Sequence, residues 1–148
     1  MTTSRLFFDA NVIIAGSMSR GGASRALMML AEAGMFRMVV SRQVLDEVER
    51  NLRNKLPQAL PLMTELLGHI APEIVDDPAE EAFERWLAHI EAKDAPILEA
   101  AIRAGVNYLV TLNSRDFTPQ VASLSSLSIV SPSEMIERLR AIVTAGLE

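Results

Sequence analysis

The chain has 148 residues, 49% of them hydrophobic and 22% charged, with a net charge of −5 and no cysteine. Length and balance fit a single globular domain over residues 1–148 with one buried core, and they exclude disorder as the main state. The missing cysteine excludes disulfides, thiolate zinc sites and thiol nucleophiles, and suits a cytoplasmic setting. The acidic balance argues against a protein that holds nucleic acid chiefly through lysine–phosphate contacts, but not against an acidic centre that recruits cations first.

Only Arg5 precedes a short apolar run that breaks at Asp9, so neither a leader peptide nor a membrane span is expected. The first predicted strand is Arg5–Phe8, with apolar character continuing through Val12–Ile14. Four more follow at Arg37–Val40, Glu73–Val75, Asn107–Thr111 and Leu127–Val130. Several are near-continuous apolar runs, the pattern of parallel strands covered on both faces.

Helical patterns alternate with them. Ala23–Ala33 stops at Gly34, and Ser41 can cap a helix carrying Val44, Val48 and Leu52 at i, i+4 and i+8. Further helices are predicted at Pro57–Ile70, Pro78–Glu91 and Asp94–Ala104. Ser131-Pro132-Ser133-Glu134 combines a serine cap, proline in the first turn and a capping-box glutamate, starting a last helix to about Ala145. Alternating β and α units imply an α/β fold, a three-layer α/β/α sandwich around a five-stranded, mainly parallel sheet.

Sites in such sheets gather at the carboxyl ends of the strands. Four acids are expected there. Asp9 ends the first strand, and Glu47 lies in the second turn of the helix after the second. Asp94 opens the helix before the fourth strand, and Asp116 follows that strand. Each has a plainer reading. Asp9 suits a turn aspartate bonding its own backbone, and Glu47 a solvated charge in Asp46-Glu47-Val48-Glu49-Arg50. Asp94 suits a helix cap before Ala95-Pro96, and Asp116 a loop residue paired with Arg115. The case for chemistry is joint. Carboxylates brought within ~4 Å repel by roughly 4 kcal/mol per pair at an effective dielectric near 20. That arrangement is tolerable only with a divalent cation or a shared proton. All-oxygen ligands favour Mg²⁺ or Mn²⁺ over zinc, and such a site suits phosphodiester hydrolysis. Other features are weaker: Gly21-Gly22 lacks the Gly-Lys-Ser/Thr of a phosphate-binding loop, His69 and His89 lack ligand spacing, and Trp86 and Tyr108 make no base-stacking platform.

Four segments, in this order, resemble the PIN domain family over about residues 5 to 140. They are Phe7-Phe8-Asp9-Ala10-Asn11-Val12-Ile13-Ile14; Val39-Val40-Ser41-Arg42-Gln43-Val44-Leu45-Asp46-Glu47-Val48; Lys93-Asp94-Ala95-Pro96-Ile97-Leu98-Glu99-Ala100-Ala101; and Tyr108-Leu109-Val110-Thr111-Leu112-Asn113 with Arg115-Asp116-Phe117. The subgroup is similar to bacterial toxin components related to VapC-type toxins. The resemblance implies a doubly wound sheet, a homodimer, Mg²⁺- or Mn²⁺-dependent endoribonuclease activity on an RNA substrate, and a cognate antitoxin partner. It maps Asp9, Glu47 and Asp94 onto an acidic triad of catalytic metal ligands. The fourth place is open: many relatives carry aspartate two residues after the threonine, where this chain has Asn113, while Asp116 lies three further on. Asn113 would lower the site's negative charge. Asn11, Ser41 and Thr111 resemble residues that orient the carboxylates or water.

Two other classes compete. One is a PIN-like module that has lost catalysis and binds RNA or protein. The other is a haloacid-dehalogenase-type phosphatase with Asp9 as nucleophile and Thr111 on the phosphate, although Asn11 stands where that family has its second aspartate.

Overall fold

The computed structural model describes residues 3–147. Its strands are β1 (Arg5–Phe8), β2 (Arg37–Ser41), β3 (Glu73–Val75), β4 (Tyr108–Val110) and β5 (Ile129–Val130). Its helices are α1 (Ala10–Met18), α2 (Ala23–Glu32), α3 (Arg42–Lys55), α4 (Leu60–Ile70), α5 (Glu80–Phe83), α6 (Ala95–Ala104), α7 (Pro119–Ser125) and α8 (Pro132–Leu147). The sheet order is β3-β2-β1-β4-β5 and every pairing is parallel. Phe7 sits in register with Val39 on one side and Leu109 on the other. The connections β1 to β2 to β3 step one way across the sheet, and those to β4 and β5 step the other. Right-handed crossovers therefore place their helices on opposite faces. Leu6, Phe7 and Phe8 of the central strand are fully buried, as a strand covered on both sides requires.

The reversal of direction falls between β1 and β4. A doubly wound sheet opens a crevice at this point, beyond the carboxyl ends of the two strands. Backbone bonds close the sheet up to its rim: the Asp9 N–H donates to the Val110 carbonyl at 3.0 Å, and the Thr111 N–H to that of Val130 at 3.0 Å.

Caps form where the sequence offers them. The Ser41 hydroxyl oxygen accepts from the Val44 N–H at 3.3 Å and starts α3. Ser131 and Glu134 exchange reciprocal bonds of 3.1 Å at the start of α8. Gly34 and Gly105, at φ 84° and 66°, follow α2 and α6 in the left-handed conformation that stops a helix.

Four expectations need correction. The apolar run Val12–Ile14 does not extend the first strand but lies inside α1. Asp9 caps that helix, its Oδ1 accepting from the Ala10 N–H at 2.8 Å. Because α1 is apolar on nearly every side, no helical periodicity marks it in the sequence. The helix expected over Pro78–Glu91 is only α5 followed by a 3₁₀ turn at Glu84–Trp86 and further turns. In addition, α7 occupies a stretch where no element was predicted, and β5 is shorter than the expected Leu127–Val130.

The shortened helix has a physical cause in α6. Glu99 is 4% exposed, and its Oε1 accepts from Trp86 Nε1 at 2.8 Å and from Arg85 Nη2 at 2.9 Å. Arg103 Nε donates to Oε2 at 3.2 Å. Bringing the indole inward to this carboxylate requires the chain to leave helical geometry near residue 84. Burial would raise the Glu99 carboxyl, but the donors from Trp86, Arg85 and Arg103 outweigh it and hold the group below its ordinary range. Its stabilising contribution is therefore present above the ordinary glutamate range and lost as pH falls through the depressed value. Glu99→Gln should cost about 1.5–3 kcal/mol near neutrality. Urea denaturation should show that gap narrowing steadily on acidification.

Candidate active site

Asp9 leaves β1 at the crevice and is 4% exposed. Its second oxygen, Oδ2, accepts from the Thr111 hydroxyl at 2.7 Å and from Asn11 Nδ2 at 3.2 Å. Thr111 stands at the end of β4, so this bond ties the two strands together across the switch point. Its oxygen also accepts from the Asn113 N–H at 3.0 Å. Asn11 returns the link by accepting from the Leu112 N–H at 3.0 Å through Oδ1. One Asp9 oxygen thus caps α1, as the turn reading expects, while the other faces the β4 side.

Asn113 carries the network onward. Its Nδ2 donates to Asp116 Oδ2 at 2.9 Å and toward Asp94 Oδ2 at 3.5 Å, while its Oδ1 accepts from the Asp116 N–H at 3.2 Å. Asp116 is therefore turned inward by Asn113. Among the described residues it forms no ion pair with Arg115. Asp94, 5% exposed, precedes α6 but makes no side-chain cap bond. A buried carboxylate at a helix start that does not cap it needs another role.

Glu91 was not foreseen. One carboxylate oxygen each from Glu91, Asp94 and Asp116 lie within 4.8 Å of one another. The only sequence hint is an acid three residues before Asp94, and the turn that uses it is set by the Asp94 N–H donating to the Glu91 carbonyl at 3.0 Å. Asp9 and Glu47 fall outside this tightest group, yet the charges reach one another. Glu47 acts on Asp9, and Asp9 on Asp94. Glu47 accepts from Gln43 Nε2 at 3.2 Å, and the same nitrogen donates to the Lys93 carbonyl at 2.9 Å. Gln43, also unforeseen, thereby ties α3 to the turn that carries Lys93 and Asp94. The Ser41 oxygen accepts from the Val44 N–H, and among the described residues no hydrogen bond joins it to a carboxylate.

The electrostatics follow from burial and like charge. Desolvation raises the Asp9 carboxyl, against lowering bonds from Thr111 and Ala10. Asp94 is pushed up to about 7 by burial first, then by the charge of Asp9 and the proximity of Asp116. None of Asp9, Glu47, Asp94 and Asp116 has a lysine or arginine in ion-pair contact among the described residues. This oxygen-rich, under-compensated donor set fits a hard divalent cation such as Mg²⁺ or Mn²⁺.

Together the fold and the crevice define a doubly wound parallel α/β protein with acidic residues gathered at its switch point. A sequence model of the PIN domain matches residues 5–115, and the chain belongs to the PIN domain family, whose members are nucleases. That membership sets the phosphatase reading aside. Comparison with curated proteins finds no match. Among solved structures, VapBC2 from Rickettsia felis, bound to a DNA fragment from its promoter, is similar at TM-score 0.62 and 20% identity. The match covers 86% of this chain and 98% of that one. DNA-bound VapBC from Salmonella typhimurium is similar at 0.65 and 18%, covering 87% and 98%. PAE2754 from Pyrobaculum aerophilum is similar at 0.66 and 14%, covering 93% and 90%. At these identities the likeness is one of fold.

A raised carboxyl is favourable while protonated and becomes a liability once ionised. In chelator-treated protein, stability should therefore decline as pH rises from the ordinary aspartate value of 3.8 and level off at about 7, where Asp94 has lost its proton in the folded chain as well. Melting temperatures across that range should show the decline, and Asp94→Asn should flatten it.

Proposed function

We propose that this chain is a Mg²⁺- or Mn²⁺-dependent endoribonuclease that hydrolyses RNA phosphodiester bonds. In this reading it acts in the cytoplasm as the toxin of a toxin–antitoxin pair, as a homodimer with a cognate antitoxin. The observation that carries the enzymatic part is the pair of buried carboxylates, Asp9 and Asp94, joined through Thr111 and Asn113 at the switch point, with neither in an ion-pair contact among the described residues. The antitoxin is supported by the Rickettsia and Salmonella relatives having been solved as VapBC complexes.

Asp9, Glu47, Asp94 and Asp116 are the residues that would hold the cation, with Glu91 beside the last two. When bound, a divalent ion there supplies Lewis acidity toward water and phosphate oxygens. The chain's own residues prepare the site. Thr111 and Asn11 fix the rotamer of Asp9, so its free lone pairs stay aimed into the crevice. Asn113 holds Asp94 and Asp116 side by side by donating to both, offsetting part of their repulsion. The Asp94 carboxyl exchanges its proton close to neutrality, so divalent binding should displace that proton and strengthen with rising pH.

Asp9→Asn should keep the fold, because an amide oxygen can still accept from the Ala10 N–H, while RNA cleavage falls by at least about 100-fold. Circular dichroism and a labelled-RNA assay would read the two effects, and undiminished cleavage would refute the assignment. Thr111→Val, which removes the hydroxyl that orients Asp9, should weaken Mn²⁺ binding roughly 10- to 100-fold by calorimetry. A native chain that binds no Mn²⁺ would favour the catalytically impaired module, for which the asparagine at position 113 is the supporting feature.

A further inference from the structure

The polar face of α3 leads away from the acidic cleft and changes sign along its length. Glu47, Arg50, Asn51, Asn54 and Lys55 recur at i, i+3, i+4, i+7 and i+8, which places them on one stripe of the helix. With Lys93 they line an open groove of about 370 Å³. The stripe runs about 12 Å from Glu47 to Lys55 at the rise of an α-helix. It is separate from the apolar stripe Val44, Val48 and Leu52, which is buried, so its residues are not engaged in packing the helix onto the sheet.

Its cations make no close ion pairs, although the charge of Lys93 also acts on Asp9 and Asp94. Arg50, Lys55 and Lys93 are exposed, and none forms an ion pair among the described residues. The neighbouring Arg53, by contrast, is paired with Glu49 on the same helix. In a protein of net charge −5, three unpaired cations and two amide side chains in one groove are a local exception. They adjoin a cleft whose own charge repels phosphate until a cation is bound. Phosphate contacts from Lys and Arg supply affinity, and amide groups can bond to sugar hydroxyls or exposed base edges.

We propose that this groove is the track by which a single RNA strand enters or leaves the acidic cleft. Arg50, Lys55 and Lys93 contact its phosphates, and Asn51 and Asn54 bond to its sugars or bases. The inference rests on the ribonuclease reading for its occupant, but its test does not depend on turnover.

Binding of a labelled single-stranded RNA to the Asp9→Asn chain is measured by fluorescence anisotropy over a salt series, with and without the added changes Arg50→Gln and Lys55→Gln. Neither residue belongs to the cation site. Removing two phosphate contacts should weaken binding and reduce the slope of log K against log salt by about 1.4. In the otherwise native chain the same two changes should lower cleavage of a long RNA several-fold. They should leave Mn²⁺ binding unchanged, along with cleavage of a dinucleotide whose single phosphate is the scissile one. An unchanged salt slope in the double variant would overturn the track, even if the native chain cleaves RNA. A reduced slope in a chain that never cleaves RNA would keep the track and overturn the nuclease reading. A change in sedimenting mass with the slope unaltered would assign the groove to a second copy of the chain instead, and would also overturn the proposal.

Discussion

The bond between the Thr111 hydroxyl and Asp9 Oδ2 joins the ends of two neighbouring parallel strands at the place where the sheet's winding reverses. A carboxylate only 4% exposed is costly unless its oxygens are satisfied, and Asp9 satisfies them from three directions. Its own helix, the β4 end and Asn11 each donate to it. Those same donors fix its orientation, so the group that starts α1 is also the group that presents negative charge to the crevice. Asn113, Asp94 and Asp116 are then positioned relative to Thr111 through the loop that follows β4.

Like charge is the second constraint on the cleft. The Asp94 carboxyl rises to about 7 because burial and the nearby Asp9 and Asp116 all penalise its ionised form. An amide at position 113 moderates this: it donates to both Asp116 and Asp94, where an acid would add a further negative charge. Glu91 adds a carboxylate to the same corner from an exposed position. The cleft thus combines two deeply buried acids with others nearer the surface.

The helix α3 divides its surface into separate tasks. Val44, Val48 and Leu52 face the core, and Glu47 lies near the cleft through the bridge that Gln43 makes to the Lys93 carbonyl. The remaining polar stripe is cationic within an acidic protein. In the proposed reading, separating the negative centre from a positive flank would let one small fold attract a cation at one point and a polyanion beside it, without the two attractions cancelling.

Sequence by itself determined the alternation of strands and helices, hence the parallel sheet, because strands buried on both faces must be apolar throughout and helix caps need particular side chains. Ser41, Ser131 with Glu134, and Gly34 did this locally. It also determined that Asp9 lies at a strand end, since a charge interrupting an apolar run has few other places to go. Tertiary structure alone decided what the periodic signals cannot carry. The run after Asp9 is helix α1, whose apolar residues are spread around nearly every side, so the sequence shows no period of 3.6 there. The expected Pro78–Glu91 helix gives way to turns, because Trp86 must reach a carboxylate thirteen positions away at Glu99. Glu91 and Gln43 gain their parts from contacts between segments distant in the chain or from the path of a turn, and beyond the spacing of Glu91 from Asp94 a single sequence does not show such proximity.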